Sequence, residues 1–281
     1  MKTLYESILD DIDVQMATGE QNVAEEVIYD IIHRDYRLKA ERKNKLIIVG
    51  KTPDGKYLVN YTGDVDVKNK DLTTLENEMF QWNEVSGTFT CFKINKLKDL
   101  KGSPKNCAGF NCNQCKGLES LEGAPEKMTL GNGLSGNGFY CIECTNLKTL
   151  KGAPETVWGG FYCGYCIKLT SLEGAPKRIV GDFNCQNTSI KSIDHKFEAI
   201  TGGFNCRDCT YLTSLEGVPD KIYGDFDCSN CKSLKSLKGL PTNIGGSLYL
   251  PKIDSLFDEI GAEIISQTNV KGEPCVVPIY R

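Results

Sequence analysis

Histidine is almost missing from this chain, with His33 and His195 the two among 281 residues. That leaves little for imidazole acid–base chemistry or for mixed Cys/His metal sites. His195 follows Asp194 with no nucleophile beside it, so both histidines read as surface residues. No apolar run reaches the ~18 residues that mark a membrane span. Neither sign of charge dominates: 33 Lys and Arg stand against 37 Asp and Glu, net −4. With a sequence pI near 5.4, no nucleic-acid footprint is indicated. A GxGxxG after a strand, a P-loop and a nucleophile elbow are all lacking, and the chain reads as non-enzymatic and cofactor-free. The opening MKTLYESILDDIDVQM carries acids early and lacks an unbroken apolar core, unlike a secretory signal. Fourteen cysteines without such a signal point to a reducing compartment, the cytoplasm, with thiols used as buried apolar groups.

What the chain has instead is a repeat. FYCGYCIKLTSLEGAPKRIVGD (161–182) recurs before itself as FYCIECTNLKTLKGAPETVWGG (139–160) and after itself from Phe183, Phe204 and Phe226. Earlier copies open at Phe89 and Phe110, giving a period of 21–22 residues from about 89 to 250. Such a period marks a solenoid. Phe161 and Cys163 alternate and so face the same way on a short strand. Cys166, Leu169 and Leu172 line a bend and a return, Gly174-Ala175-Pro176 turns the chain, and Ile179 points inward. One coil cannot bury its own apolar face, so coils must stack.

These residues resemble the leucine-rich repeat, LxxLxLxx(N/C)xL, with Phe161 and Cys163 at strand positions and Cys166 at the Asn/Cys position. In that family the Asn or Cys side chain bonds backbone groups of the bend. The resemblance therefore implies a ladder of Cys115, Cys144, Cys166, Thr188, Cys209 and Cys231. After Cys144, Cys166, Cys209 and Cys231 the next apolar residue comes three later; after Thr188 it comes two later, at Ile190, in a coil one residue shorter. The family shows the same switch between its Cys and Asn versions. The short Pro-containing return is similar to compact bacterial and phage repeats. The expected fold is a leucine-rich repeat solenoid, mainly β, with one short parallel strand per coil and short Pro/Gly returns. Such repeats sometimes precede a ubiquitin-ligase domain, but only about thirty residues follow them here. The peptide MKTLYESILDDID is also similar to a short leader of large tailed bacteriophage proteins, which makes a viral origin an expectation; an ordinary capping helix is the alternative.

The chain divides into a helical segment (1–45), a β-hairpin cap (46–62), the solenoid (63–250) and a C-terminal cap (251–281). Thr3 and Glu6 form a capping box for a helix over 3–16, and a second helix is expected from Asn22 to about Lys39. The basic stretch after it reads as a solvated helix end. KLIIVG and KYLVNY flank TPDG, a hairpin signal. Residues 63–75 look like a degenerate first repeat with Val65, Val67, Leu72 and Leu75 inward, and 76–88 looks irregular. Residues 128–138 read as a glycine-rich surface loop. Ile253, Leu256, Phe257 and Ile260 suggest a short helix over the last coil.

CxxC occurs five times, which alone would suggest structural zinc. Against it, the first Cys of each pair alternates with strand-facing positions, and Thr188 and Ile94 replace the second in regular copies. Redox use would want a helix N-terminus. Buried ladder thiols are the preferred reading, with zinc and redox roles open behind it. The outward strand positions Thr90, Asn111, Tyr140, Tyr162, Asn184, Asn205, Asp227 and Tyr249 form one face. Tyr140, Tyr162 and Tyr165 give it an aromatic patch bordered by Asn184, Asn205, Arg207, Asp208 and Asp227. This composition suits a protein partner from host or virion, and secondly a glycan on a virion adhesin.

Overall fold

A computed structural model describes residues 21–39, 46–130, 138–253, 259–272 and 274–277. It is a mainly β, parallel solenoid of about nine turns. One fourteen-stranded sheet runs its length in chain order, from Asp64–Val67 through Phe80–Thr90, Asn106–Asn111, Gly138–Tyr140 and Gly160–Tyr162 to Leu248–Pro251 and Pro274–Val277. Register follows the repeat: Phe89, Phe110, Phe139, Phe161, Phe183, Phe204, Phe226 and Leu248 pair in succession. The phenylalanines form one buried column, with Phe110, Phe139 and Phe161 stacked at 5.2 and 5.3 Å. Each such ring contributes about 1.5–3 kcal/mol by leaving water. Cys163, Cys166, Leu169, Leu172 and Ile179 complete the core of one coil. At the turn, Gly174 has φ +86°, and a Cβ there would meet Lys151 N at 2.5 Å. Only glycine allows both that angle and that approach.

The two ends differ from the sequence reading. The helix Gln21–Asp35 stops short of Lys39, and Tyr36–Lys39 is instead a strand pairing antiparallel with Asp64–Val67. Tertiary packing overrides helical periodicity here, because Tyr36 reaches the aromatic cluster and lies 5.4 Å from Trp82. The strand pairs with the outer edge of the Val65 coil. The hairpin is present as Leu46–Lys51 and Tyr57–Tyr61, and its second strand pairs parallel with Phe80–Val85. The stretch expected to be irregular is an eleven-residue strand, Phe80–Thr90, with Phe80, Trp82, Val85 and Phe89 inward. Its register shifts between Val85 and Thr88, which breaks the alternation a reader would look for. Val65, Val67 and Leu75 are buried as expected and Leu72 is partly so.

Beyond Leu248 the coil does not stop. Leu248–Pro251 is followed by the helix Glu259–Gln267 and the strands Asn269–Val270 and Pro274–Val277, both parallel to the coil before. Ile264 and Ile265 of that helix pack against the core, and residues 254–258, most of the helix expected around Ile253, lie outside the described residues. So do the expected helix over 3–16 and most of the 128–138 loop. Among the described residues no helix is long and apolar enough to cross a membrane. On the return side, exposed pairs such as Lys148–Glu119, Lys177–Glu155 and Lys238–Glu216, each at 2.8 Å, join neighbouring coils. Being fully solvated, these pairs are screened and add little to stability.

Candidate functional site

The seven coils that open at Phe89, Phe110, Phe139, Phe161, Phe183, Phe204 and Phe226 bend through the same backbone device. The residue before the second Cys, or its substitute, has positive φ: Lys93, Gln114, Glu143, Tyr165, Asn187, Asp208 and Asn230, all at 54–61°. The next side chain turns inward. Cys115 Sγ donates to Cys91 O at 2.9 Å, Cys144 to Cys112 O at 3.1 Å and Cys166 to Cys141 O at 3.1 Å. Cys209 reaches Cys185 O and Cys231 reaches Cys206 O, both at 3.2 Å. Thr188, with its shorter reach, donates within its own coil, to Cys185 O at 2.8 Å. Burial pushes the thiols of the strand cysteines Cys141, Cys163 and Cys185 well up from their usual range, so these stay protonated. Among the described residues no group of three or more His, Cys, Asp or Glu is placed to hold a metal ion.

The outward row is continuous. Tyr140, Tyr162, Asn184, Asn205, Asp227 and Tyr249 pair in register along the sheet. Tyr140 and Tyr162 stack with centroids 4.9 Å apart and planes 4° from parallel. Their rings fold back over bare backbone: a Cβ at Gly160 would lie 2.4 Å from the Tyr162 ring. Both tyrosines are half-buried. Burial, then the Asp182 carboxylate and Tyr140, push the Tyr162 hydroxyl up to about 12; burial also raises that of Tyr140.

The polar members of the row are less free than their exposure on a strand suggests. Asn184 Oδ1 accepts from Gln186 N and Asn205 Oδ1 from Arg207 N, both at 2.9 Å; Asp227 Oδ1 accepts from Ser229 N at 2.8 Å. Each is an Asx turn that sets up the following bend. Arg207 Nε donates to Asp208 Oδ2 at 3.2 Å, and Asp208 Oδ1 accepts a close contact from Asn230 Nδ2. Tyr165 does not join the stack. It sits at the bend of the Phe161 coil with φ 61° and 41% exposure. Ile167 beside it and Tyr211 two coils on are 54% and 58% exposed. Sequence reading passed over both, since no periodic signal marks a bend position.

His195 is half-buried rather than on the open surface. Its Nε2 lies 3.2 Å from Pro176 O, its ring meets Phe197 edge-on at 4.6 Å, and burial lowers its pKa. It lines an open groove of about 650 Å³ on the return side. The groove lies where the return strands divide into two three-stranded sheets, between Ala199–Ile200 and Lys221–Ile222. Asp194 is already committed to Ser171 Oγ and Leu172 N of the neighbouring coil. Comparison with protein-family models, with curated proteins and with solved structures gives no match for this chain.

Proposed function

We propose that the chain is a non-catalytic recognition module, a leucine-rich repeat protein of the compact bacterial and phage type, that binds a protein partner across its strand face. The observation that carries this is the parallel stack of Tyr140 and Tyr162, half-exposed in a row whose next members, Asn184, Asn205 and Asp227, are small and polar. Rigid aromatics that need little ordering on binding are the usual anchors of protein interfaces. The thiols that reach a carbonyl one coil back support their role as ladder rungs: they use the second Cys of each CxxC as a backbone cap rather than a metal ligand. The phage-like N-terminal peptide supports a partner in a host cytoplasm or in the virion.

The experiment is capture from a bacterial lysate with the wild type and with the Tyr140→Ala/Tyr162→Ala variant side by side, read by mass spectrometry. A protein retained by the first and lost by the second supports the reading; identical captures reject it. A glycan is the second reading, favoured by the amides of Asn184 and Asn205 beside the tyrosines, and a glycan array tests it.

A further inference from the structure

Charge is divided sharply between the two sides of the coils. From the residue before each Phe to the second Cys or Thr188, the five coils opening from Phe139 to Phe226 carry Glu143, Asp182, Asp208, Asp225 and Asp227. They carry one base there, Arg207; every other Lys or Arg of these coils lies past the bend, on the return. Arg207 is already held by Asp208, Nε to Oδ2 at 3.2 Å. Backbone amides fix three of the other carboxylates. Asp182 Oδ1 accepts from Gly203 N at 2.8 Å, Asp225 Oδ1 from Ser247 N at 2.7 Å and Asp227 Oδ1 from Ser229 N at 2.8 Å. Glu143 accepts from the amide of Gln114 at 3.1 Å. Neutral donors orient a carboxylate without cancelling its charge, and among the described residues none of these four pairs with a base.

Resting on the protein-binding reading, we infer that the strand face takes a basic segment of its partner, with an arginine seated on the tyrosine stack. One face of the Tyr162 ring is covered by Tyr140 of the coil before. The other looks toward the next coil, where Asn184 pairs with Tyr162 and Asp182 O accepts from Phe161 N. Asp182 is exposed, and its carboxylate helps to raise the Tyr162 hydroxyl, so the two side chains are neighbours. A guanidinium laid on that ring face gains a cation–π contact and a carboxylate together. Gly203, at the Asp182 position of the following coil, has no side chain to crowd it. Asp225 and Asp227 stand two coils on from Asp182, about 10 Å along the sheet, which is roughly three residues of an extended segment. A second basic residue of the same segment meets them there. An acidic segment would face like charge, and a neutral one would leave these carboxylates without a counter-charge.

Asp182→Asn/Asp225→Asn keeps each Oδ1 as an acceptor for its backbone amide and removes two charges from the face. Glu155→Gln/Glu216→Gln removes two from the exposed return, where each acid pairs with a lysine, and controls for net charge. Fluorescence anisotropy with a labelled Arg-Ser repeat peptide, against a Glu-Ser peptide of equal length, reads the outcome. Arg-Ser should bind the wild type and weaken by about tenfold in the Asp variant and in Tyr140→Ala/Tyr162→Ala. In the Glu variant it should change by less than about twofold, and both carboxylate variants should melt as the wild type does. Failure of Arg-Ser to bind, equal binding of Glu-Ser, equal weakening by the two carboxylate variants, or an unaffected tyrosine variant would overturn the inference. If it is overturned while the double tyrosine variant still loses a captured protein, the basic assignment falls and the protein-binding reading stands. If that capture is also unaffected, both fall.

Discussion

The thiol of Cys166 donates to the carbonyl of Cys141, 3.1 Å away and one coil back. The contact ties the bend of one coil to the strand of its neighbour, using a small side chain that is apolar on every other side. Cys166→Ala leaves that carbonyl without its donor and opens a small void, so it should cost about 1–3 kcal/mol in a urea melt. A thiol occupied in this way is a poor zinc ligand. Elemental analysis of protein purified without chelator should show well under one zinc per chain, and chelator should leave the melting temperature unchanged. Near two zinc ions per chain, with unfolding on chelation, would reverse this assignment.

Mutational cost should follow the inward and outward phases of the coil. Leu172 is fully buried between coils, and Leu172→Ala should destabilise by about 2–5 kcal/mol. Lys168 is exposed and donates to Asn146 Oδ1 at 2.6 Å; Lys168→Ala should stay within about 0.5 kcal/mol. Comparable denaturation midpoints for the two would contradict the phase.

How far the sequence reached depended on how local the cause was. The Phe column and the inward cysteines were legible because the same Phe-x-Cys triplet opens each coil from Phe89 to Phe226. The strand Phe80–Thr90 was not, since a register shift at Val85 scrambles its alternation. Nor was the end of the helix Gln21–Asp35, where Tyr36 leaves helical periodicity to meet Trp82. The alternation along each strand makes the outward row legible, but the turns that Asn184 and Asn205 cap are not, because an Asx contact leaves no periodic mark. Asn187, Asp208 and Asn230 before the rung are a readable sign of a left-handed residue, and Tyr165 in the same position disguised it.

Tyr165 holds a backbone angle that disfavours a bulky side chain by about 1–2 kcal/mol. Asparagine occupies the same position at Asn187 and Asn230 with φ of 54° and 61°. Tyr165→Asn should therefore raise stability by about 0.5–1 kcal/mol while weakening partner binding. A variant that is both less stable and fully competent to bind would show that the tyrosine serves packing alone.

The raised Tyr162 hydroxyl links stability to alkaline pH. Its folded value of about 12 lies above the ordinary 10.0, so the unfolded chain loses this proton first. The stabilisation is complete below pH 10 and is lost as pH rises toward 12, and Tyr36, also held near 12 by burial, adds to the same window. Urea midpoints measured from neutral to strongly alkaline pH should fall above pH 10, and Tyr162→Phe should lessen the slope. An unchanged slope would place the Tyr162 hydroxyl in water.

The most direct test of the strand face as the recognition surface is the affinity of Tyr140→Ala/Tyr162→Ala for the captured partner by titration calorimetry. Because the rings cover Gly138 and Gly160, the variant should melt a few degrees lower yet remain folded by circular dichroism. We expect it to lose about 2 kcal/mol or more of binding, a weakening of roughly thirtyfold. A folded variant that binds with wild-type affinity would contradict the account and remove the tyrosine stack from the interface.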